Sequence, residues 1–256
     1  MRFLKLARKI EKIDGVEIIG YTGPKKQRYP MFKIVQGEGP DVTLGAGEHG
    51  DEPGGVDFMP EFFSSDLFHR FKTRLRFNAF PCINPWGYDH FRHGNHRRFN
   101  LNRECTDAPR SEEILLIIPH LRRSLFFSDH HETMSKWERT GAEPRGRSPN
   151  KFFLYETCED KQRRIGPSII QGIEAAGFSV CKWRIIGEDR NNGGVIWYPE
   201  DIRAKCYKAG NSLDEYMIRK GYTEHSFTIE TPQKAAMKHR IAMNMIAMRT
   251  ILERCT

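Results

Sequence analysis

The sequence lacks the features that define several classes of protein. No apolar run approaches the roughly 20 residues needed to cross a bilayer, and Lys and Arg interrupt the N-terminal segment where a secretory signal needs an unbroken apolar stretch. The six cysteines of the 256-residue chain form no CxxC pair, which argues against a cysteine zinc knuckle and a disulfide framework. These absences predict a cytoplasmic protein with reduced thiols and no membrane partner.

The chain also has no tail in which residues of one charge sign are strongly concentrated. The chain carries 41 Lys and Arg against 33 Asp and Glu, a formal net charge of +8 that would suit an anionic substrate, a nucleic acid or a membrane surface. The basic residues are nevertheless spread along the chain, and no polybasic tail is present. We therefore predict no nucleic-acid partner, and the sequence leaves the oligomeric state open.

Apolar segments alternate between strand-like and helix-like patterns, which is typical of an α/β fold, and the length fits one domain over residues 1–256. Strands are predicted at 16–22, 31–37, 42–47, 74–82, 124–131, 151–157 and 225–231. Helices are predicted at 53–72, 111–122, 166–177, 211–221 and 232–254, with long loops at 134–150 and 183–200.

Two of the predicted strands end in histidine. The stretch GAGEHGDEPGG places His49 and Glu52 after one strand, at the carboxyl end where open α/β sheets bind ligands. Imidazole and carboxylate suit Zn²⁺, and a catalytic zinc needs a third protein ligand beside an open position. The stretch SLFFSDHHET offers His130 and His131, and because strand side chains alternate faces, only one of them can point at the same metal. The pattern alone leaves that choice open.

Two further stretches carry polar residues at or after strand ends. NPWGYDHFRHGNHRRFNLNR, residues 84–103, is either a solvated basic loop, a phosphate-contacting patch, or a source of arginines that bind a carboxylate and stabilise an oxyanion. HSFTIETP places Glu230 at the end of an apolar strand, where a carboxylate beside a metal-activated water can accept and return a proton.

Taken in order, these motifs resemble the zinc carboxypeptidases of the carboxypeptidase A type, especially short bacterial members that act on cell-wall peptides. HGDEP contains the family's H-x-x-E motif, and NPWGY matches N-P-D-G-hydrophobic with Trp86 in place of Asp. Residues 92–103 match R-x-N-x-x-G-x-D-L-N-R if one residue is inserted after Arg92, although RFNLNR replaces the family's G-x-DLNR. The segment 207–230 matches the family's run from a mobile tyrosine to F-T-F-E.

The resemblance implies a three-layer α/β/α sandwich with a mixed sheet of about eight strands, and a Zn²⁺ ion bound by His49, Glu52 and His131. The family's D-L-H pattern selects His131 over His130. Glu230 is implied as general base and acid, and Arg92 as the residue that polarises the scissile carbonyl, with Arg97 or Arg98 as substitutes.

Substrate contacts are implied for four residues of the later motifs. Asn102 and Arg103 would hold the terminal carboxylate of the substrate, and Tyr207 would contact the transition state or product. Leu213 falls where digestive members place the residue that contacts the substrate side chain, and a neutral Leu argues against selection for basic side chains.

Two other functions fit parts of the sequence. Deacylases of the aspartoacylase and succinylglutamate desuccinylase type share HGxE and an NR pair but usually carry a further β-rich domain, and only 26 residues follow Glu230 here. A nucleic-acid-binding protein on a hydrolase scaffold would leave His49 dispensable. We therefore expect a zinc-dependent metallopeptidase that removes a C-terminal residue from a small peptide, with an N-acyl amino acid deacylase as the alternative.

Overall fold

A mixed β-sheet runs through the centre of the molecule. The computed structural model describes residues 1–133, 149–186, 189–198 and 211–256, and within them the sheet has ten strands in the order β1-β2-β4-β3-β5-β10-β6-β9-β8-β7. The strands are β1 (Val16–Thr22), β2 (Tyr29–Gly37), β3 (Asp41–Ala46), β4 (Arg76–Phe80), β5 (Phe127–Thr133), β6 (Phe153–Cys158), β7 (Ile185–Ile186), β8 (Asp189–Asn192), β9 (Val195–Trp197) and β10 (His225–Pro232).

Helices cover both faces of this sheet, which confirms the predicted three-layer α/β class. The described α-helices are α1 (Arg2–Ile10), α2 (Pro53–Phe63), α3 (Asp66–Phe71), α4 (Pro85–His90), α5 (Glu112–Ile117), α6 (Gly166–Ala175), α7 (Leu213–Arg219) and α8 (Met237–Cys255). None of these helices is both long and apolar enough to span a membrane.

The expected number of about eight strands was wrong. Strands β7, β8 and β9 lie within 183–200, which the sequence predicted to be a loop. Each has only two to four residues, too few for an alternation of apolar and polar side chains to be visible in the sequence.

The structure also divides one predicted helix in two and contains two helices that the sequence did not predict. The predicted helix 53–72 is divided into α2 and α3, because the Ser65 hydroxyl accepts a hydrogen bond from the Phe68 amide and starts a new helix. Helices α1 and α4 were not predicted. Pro85 begins α4, and the Asn84 side chain caps it by accepting from the Gly87 amide.

Two apolar cores lie on opposite faces of the sheet. The larger packs the sheet against α1, α2, α3, α6 and α8, and the smaller packs it against α5 and α7. Neighbouring residues at the start of β5 serve different cores, since Phe126, just before the strand, belongs to the larger and Phe127 to the smaller.

The centre of the sheet is parallel, and the strand on each side of the centre is antiparallel to its central neighbour. Strands β4, β3, β5 and β10 run in the same direction, whereas β2 is antiparallel to β4 and β6 is antiparallel to β10. The carboxyl ends of β3, β5 and β10 therefore meet along one edge, and residues that follow or end these strands come together there.

Candidate metal centre and active site

The parallel register brings three predicted site residues to one place. His49 and Glu52 lie in the turn after β3, and His131 lies near the end of β5. Glu230 on β10 is the direct partner of His131 across the ladder. His130 points to the other face, where its Nδ1 lies 2.8 Å from Oδ1 of Asn244 on α8. The structure thus places His131 in the site and His130 in the helical layer behind the sheet.

The turn after β3 packs tightly against α4. A Cβ added to Gly50 would lie 2.0 Å from the carbonyl carbon of Gly87, so no larger residue fits without moving the backbone. Glu52 stands at the N-cap position of α2, and Pro53 follows as the first helical residue. This local geometry fixes His49 and Glu52 against the rest of the site.

The side chains of His49 and His131 converge on the carboxylate of Glu52. Nδ1 of His49 lies 2.8 Å from Oε1 of Glu52, and Nδ1 of His131 lies 2.9 Å from Oε2. Burial alone would raise the pKa of Glu52, but the charge of His49 and the hydrogen bond with His131 hold it below its ordinary value. Two imidazole nitrogens and a carboxylate are the donor types of a catalytic zinc site. The side chains whose donor atoms all lie within 4.8 Å of one another are His49, Glu52 and His93 in one group and Glu48, Asp129 and His131 in another.

The outer nitrogens of both imidazoles face hydrogen-bond acceptors. Nε2 of His49 lies 3.0 Å from Oδ1 of Asn100, and Nε2 of His131 lies 3.1 Å from Oε2 of Glu48 and 3.2 Å from Oδ2 of Asp129. An acceptor at Nε2 keeps the hydrogen on that nitrogen and leaves the Nδ1 lone pair for a metal. The residues present therefore fit a zinc ion.

A second group of donor atoms lies behind the His131 ring. Glu48, Asp129 and His131 are all buried and could also hold a metal ion, and the carboxyl groups of Glu48 and Asp129 lie within hydrogen-bond reach of each other. Burial, followed by the charge of Asp129, raises the pKa of Glu48 to about 8. Because both carboxylates contact the outer nitrogen of His131, they are placed to orient its ring.

A cavity of about 330 Å³ opens beside the converging donors. Six of the predicted site residues line it: His49, Glu52, Asn102, Arg103, His131 and Glu230. Burial and the nearby carboxylates raise the pKa of Glu230 to about 8 despite the charge of His131. The side-chain oxygen of Asn102 is buried without a partner among the described residues, as a contact to a bound molecule would require.

Three predicted residues are not brought into this cavity by the described structure. Arg92 is exposed on the loop after α4 and does not line the cavity, and the same holds for its substitutes Arg97 and Arg98. Leu213 is fully buried in the smaller core rather than facing the cavity. Tyr207 lies outside the described residues.

Sequence analysis gave no role to several residues that the structure places at the site. His93 stacks on His49, Asn100 contacts its outer nitrogen, and Glu48 contacts His131. Asn100 had a recognisable sequence signal, because it occupies the Asp position of the D-L-N-R motif. Asp189, Asp214 and Glu215 also line the cavity. Asp214 and Glu215 lie within the family-matched segment 207–230, whereas nothing in the local sequence of Asp189 marks it as a neighbour of the zinc motifs.

Comparisons with solved structures identify the fold. Similar structures include a candidate metallopeptidase from Shewanella amazonensis SB2B, with TM-score 0.74 and 20% identity over 98% of this chain and 91% of that chain. A metallo-carboxypeptidase from Pseudomonas aeruginosa, in complex with (2-guanidinoethylmercapto)succinic acid, gives TM-score 0.66 and 16% identity over 98% of this chain and 68% of that chain. The murein-tripeptide amidase MpaA from Escherichia coli O157 gives TM-score 0.58 and 14% identity over 93% and 92%.

No protein-family model and no curated protein sequence matches the chain. The identities to solved structures are low, and the likeness therefore establishes the fold, which is that of the zinc carboxypeptidases. Within this fold, the described residues include His/Glu/Asp groups that could bind a metal, and one of these groups, Glu48, Asp129 and His131, is buried throughout.

Proposed function

We propose that the protein is a zinc-dependent metallopeptidase that hydrolyses the C-terminal amide bond of a small peptide. The observation that carries this proposal is the convergence of Nδ1 of His49 and Nδ1 of His131 on Glu52, at the wall of a cavity that also holds Glu230. The solved structures with a similar fold support this proposal, since they include a metallo-carboxypeptidase and a murein-tripeptide amidase. A peptide derived from cell-wall turnover is accordingly the first substrate class to test.

Arg103 and Asn102 bind the end of the substrate in this proposal. Both line the cavity, and the Arg103 guanidinium is well suited to a carboxylate because its planar N–H groups match the two oxygens. Asn102 also lines the cavity, and its Nδ2 group can donate a second hydrogen bond to the same carboxylate. Together they place the last amide bond of the peptide next to Glu230.

Glu230 moves the proton during hydrolysis. A bound zinc ion would supply a Lewis acid and lower the pKa of a water molecule toward 7. Glu230 accepts a proton from the water as the oxygen bonds to the carbonyl carbon, and then gives it to the nitrogen as the C–N bond breaks. His131 and Glu52 lie close enough to Glu230 to affect the pKa of its carboxyl group. The proposed base and the proposed metal ligands are therefore electrostatically coupled.

A screen of zinc-loaded protein tests this function directly. Short peptides with free C-termini are compared with the same peptides ending in an amide and with N-acyl amino acids. We expect hydrolysis of the peptides with a free C-terminus and none of the same peptides ending in an amide, because Arg103 needs the carboxylate. Selective cleavage of N-acyl amino acids would support the deacylase alternative, and a folded, zinc-bound protein that cleaves neither class would contradict both.

A further inference from the structure

A buried carboxylate on α5, that of Glu113, lies outside the candidate metal centre. Glu113 has no exposed surface, and both of its hydrogen-bond partners are neutral side chains. One oxygen accepts from Oγ1 of Thr22 on β1, and the other accepts from Nδ2 of Asn95 at 2.8 Å. A buried charge costs free energy unless hydrogen bonds replace those of water. The Asn95–Glu113 contact is therefore a charge-assisted hydrogen bond, which is stronger than a neutral one.

Asn95 connects Glu113 to the loop after α4. It is only 1% exposed, and its Oδ1 accepts hydrogen bonds from the amides of Arg97 and Phe99, both at 3.0 Å. Its Nδ2 donates to Glu113. Because the oxygen accepts and the nitrogen donates, the orientation of the side-chain amide is fixed by its partners. The turn 95–99 is thereby attached to α5 through the Asn95 side chain.

The same turn contains a strained residue. Arg98 has a φ of 65°, in the left-handed region that residues other than glycine adopt at a cost in free energy. The Arg98 amide donates to the Asn95 carbonyl oxygen at 2.8 Å, and the Asn95 amide donates to the Phe99 carbonyl oxygen at 3.0 Å. Since these hydrogen bonds all involve Asn95, a shift of Asn95 would let the strained turn relax.

The turn leads directly to groups of the proposed active site. Oδ1 of Asn100 lies 3.0 Å from Nε2 of His49 and accepts a hydrogen bond from the Asn102 amide at 3.0 Å. One oxygen thus contacts both a proposed zinc ligand and the 3₁₀ turn Leu101–Arg103, and Arg103 lines the cavity. A shift of Asn100 would therefore change the orientation of the His49 ring and the position of Arg103 together.

Apolar packing also attaches the loop to α5, but it leaves the exact position of the loop open. Leu101 is fully buried in the smaller core together with Ile114 and Ile117 of α5, and Phe99 packs against the same core. Apolar burial is non-directional, whereas a hydrogen bond weakens steeply with distance and angle. The contact between Asn95 and α5 is therefore the directional part of this attachment.

We propose that Glu113 is a positioning residue of the active site, which acts through Asn95 on the loop after α4. The placement of this loop decides how the His49 ring is oriented and where Arg103 meets the substrate. The inference rests on the proposed function, because it takes Arg103 as the group that binds the substrate carboxylate. Neither Glu113 nor Asn95 is among the described residues that line the cavity. Proton transfer by Glu230, which lies on β10, is left unchanged.

An exchange of donor and acceptor tests the Asn95–Glu113 contact. Asn95→Asp sets two carboxylates against each other and should displace the loop. Adding Glu113→Gln to Asn95→Asp returns the pair to a single negative charge, and the new amide can donate to the aspartate while its oxygen accepts from Thr22. The matched control is Thr22→Val, which removes the other hydrogen bond of Glu113 and leaves Asn95 untouched. Each folded variant is measured for kcat and KM on a peptide with a free C-terminus, and for zinc affinity by competition with a chelating dye.

We expect Asn95→Asp to raise KM by about 10-fold or more and to lower zinc affinity by about 10-fold, with kcat within about threefold of wild type. The double variant and Thr22→Val should stay within about threefold of wild type in all three quantities. If Asn95→Asp does not fold, Glu113→Met carries the same expectation, because it offers Asn95 no acceptor.

Three results would overturn the inference. They are unchanged KM and zinc affinity in Asn95→Asp, a double variant no better than Asn95→Asp, and losses in Thr22→Val equal to those in Asn95→Asp. A wild type that binds zinc but cleaves no peptide refutes the proposed function instead, and zinc affinity across the variants then decides the role of Glu113.

Discussion

Strand β10 has a buried ionisable cluster at each end, and the two clusters differ in whether their polar atoms are satisfied. At its start, Nε2 of His225 lies 2.9 Å from Oε1 of Glu156 on β6. The Glu156 carboxylate also accepts hydrogen bonds from the amides of Ile165 and Gly166 at 2.7 and 2.9 Å, and from Nε1 of Trp197 at 3.1 Å. Both carboxylate oxygens are thus fully engaged by the protein.

At the other end of β10, the cluster around Glu230 borders a cavity and is left incomplete. Within the described part of the chain, the side-chain oxygen of Asn102 is buried without a partner, and Glu48 and Asp129 each have one oxygen with no donor other than the other carboxyl group. Unsatisfied buried polar atoms cost free energy, so a fold retains them chiefly where a ligand or metal will use them. The comparison teaches that a buried charge alone does not mark a functional site. A buried polar group that lacks a full set of hydrogen bonds and lies beside a cavity does mark one.

The largest expected effect comes from removing the base at the incomplete end. Glu230→Gln should lower kcat by about 10³-fold or more, because general base catalysis contributes on the order of 10² to 10⁴ and Gln cannot accept the proton. Zinc content should stay at the wild-type level. The matched control is Glu224→Gln, which changes an exposed carboxylate just before β10 and should leave kcat unchanged. Full activity in Glu230→Gln would show that the mechanism is wrong.

A smaller effect is expected at the mouth of the same cavity. Arg103→Gln should raise KM by about 10- to 100-fold for peptides with a free C-terminus, since charged hydrogen bonds contribute about 1.5–3 kcal/mol. The measurement is a Michaelis–Menten series on one peptide, with Arg123→Gln as an exposed control for the loss of one positive charge. Equal KM values for Arg103→Gln and wild type would remove Arg103 from the carboxylate site.

A substitution in the His225–Glu156 cluster at the start of β10 should lower the stability of the protein and leave its catalysis unchanged. Glu156→Gln should lower the free energy of unfolding by about 2 kcal/mol at pH 7, because it weakens several charge-assisted hydrogen bonds. Activity per folded molecule should not change. The readout is urea unfolding followed by circular dichroism, with kcat measured on the same preparation. A large loss of kcat in the folded variant would mean that the two ends of β10 do not have separate roles.

The pH dependence of stability sharpens the same contrast. Burial would raise the pKa of Glu156, but the hydrogen bonds from His225 and the α6 amides hold it below its ordinary value of 4.5. A carboxyl with a depressed folded-state pKa stabilises the protein above the unfolded pKa, and this stability is lost as pH falls through the lower folded value. Acid should therefore destabilise wild type more steeply than Glu156→Gln below about pH 4.5.

The sequence predicted the centre of the fold and of the candidate site well, for a physical reason. Parallel central strands are long apolar runs, and the polar residues that end them stand out, as His49, His131 and Glu230 did. Because the carboxyl ends of such strands share one edge, their proximity followed from the fold class. The choice between His130 and His131 required either family resemblance or coordinates.

The remaining features depend on contacts that no local pattern encodes. Strands β7 to β9 are too short to show a period, and their pairing depends on neighbours elsewhere in the chain. The contacts of Glu48 with His131 and of Asn100 with His49 link distant segments. The left-handed φ of Arg98 is likewise visible only in the structure.

Zinc stoichiometry in three proteins tests the central claim most directly. Wild type, His131→Ala and His225→Gln are dialysed against limiting zinc, and the metal per chain is measured by mass spectrometry after circular dichroism has verified folding. We predict about one zinc ion per chain in wild type and in His225→Gln, and less than about 0.1 in His131→Ala. Stoichiometric zinc in folded His131→Ala, or no zinc in wild type, would contradict the assignment of the incomplete cluster as the metal centre.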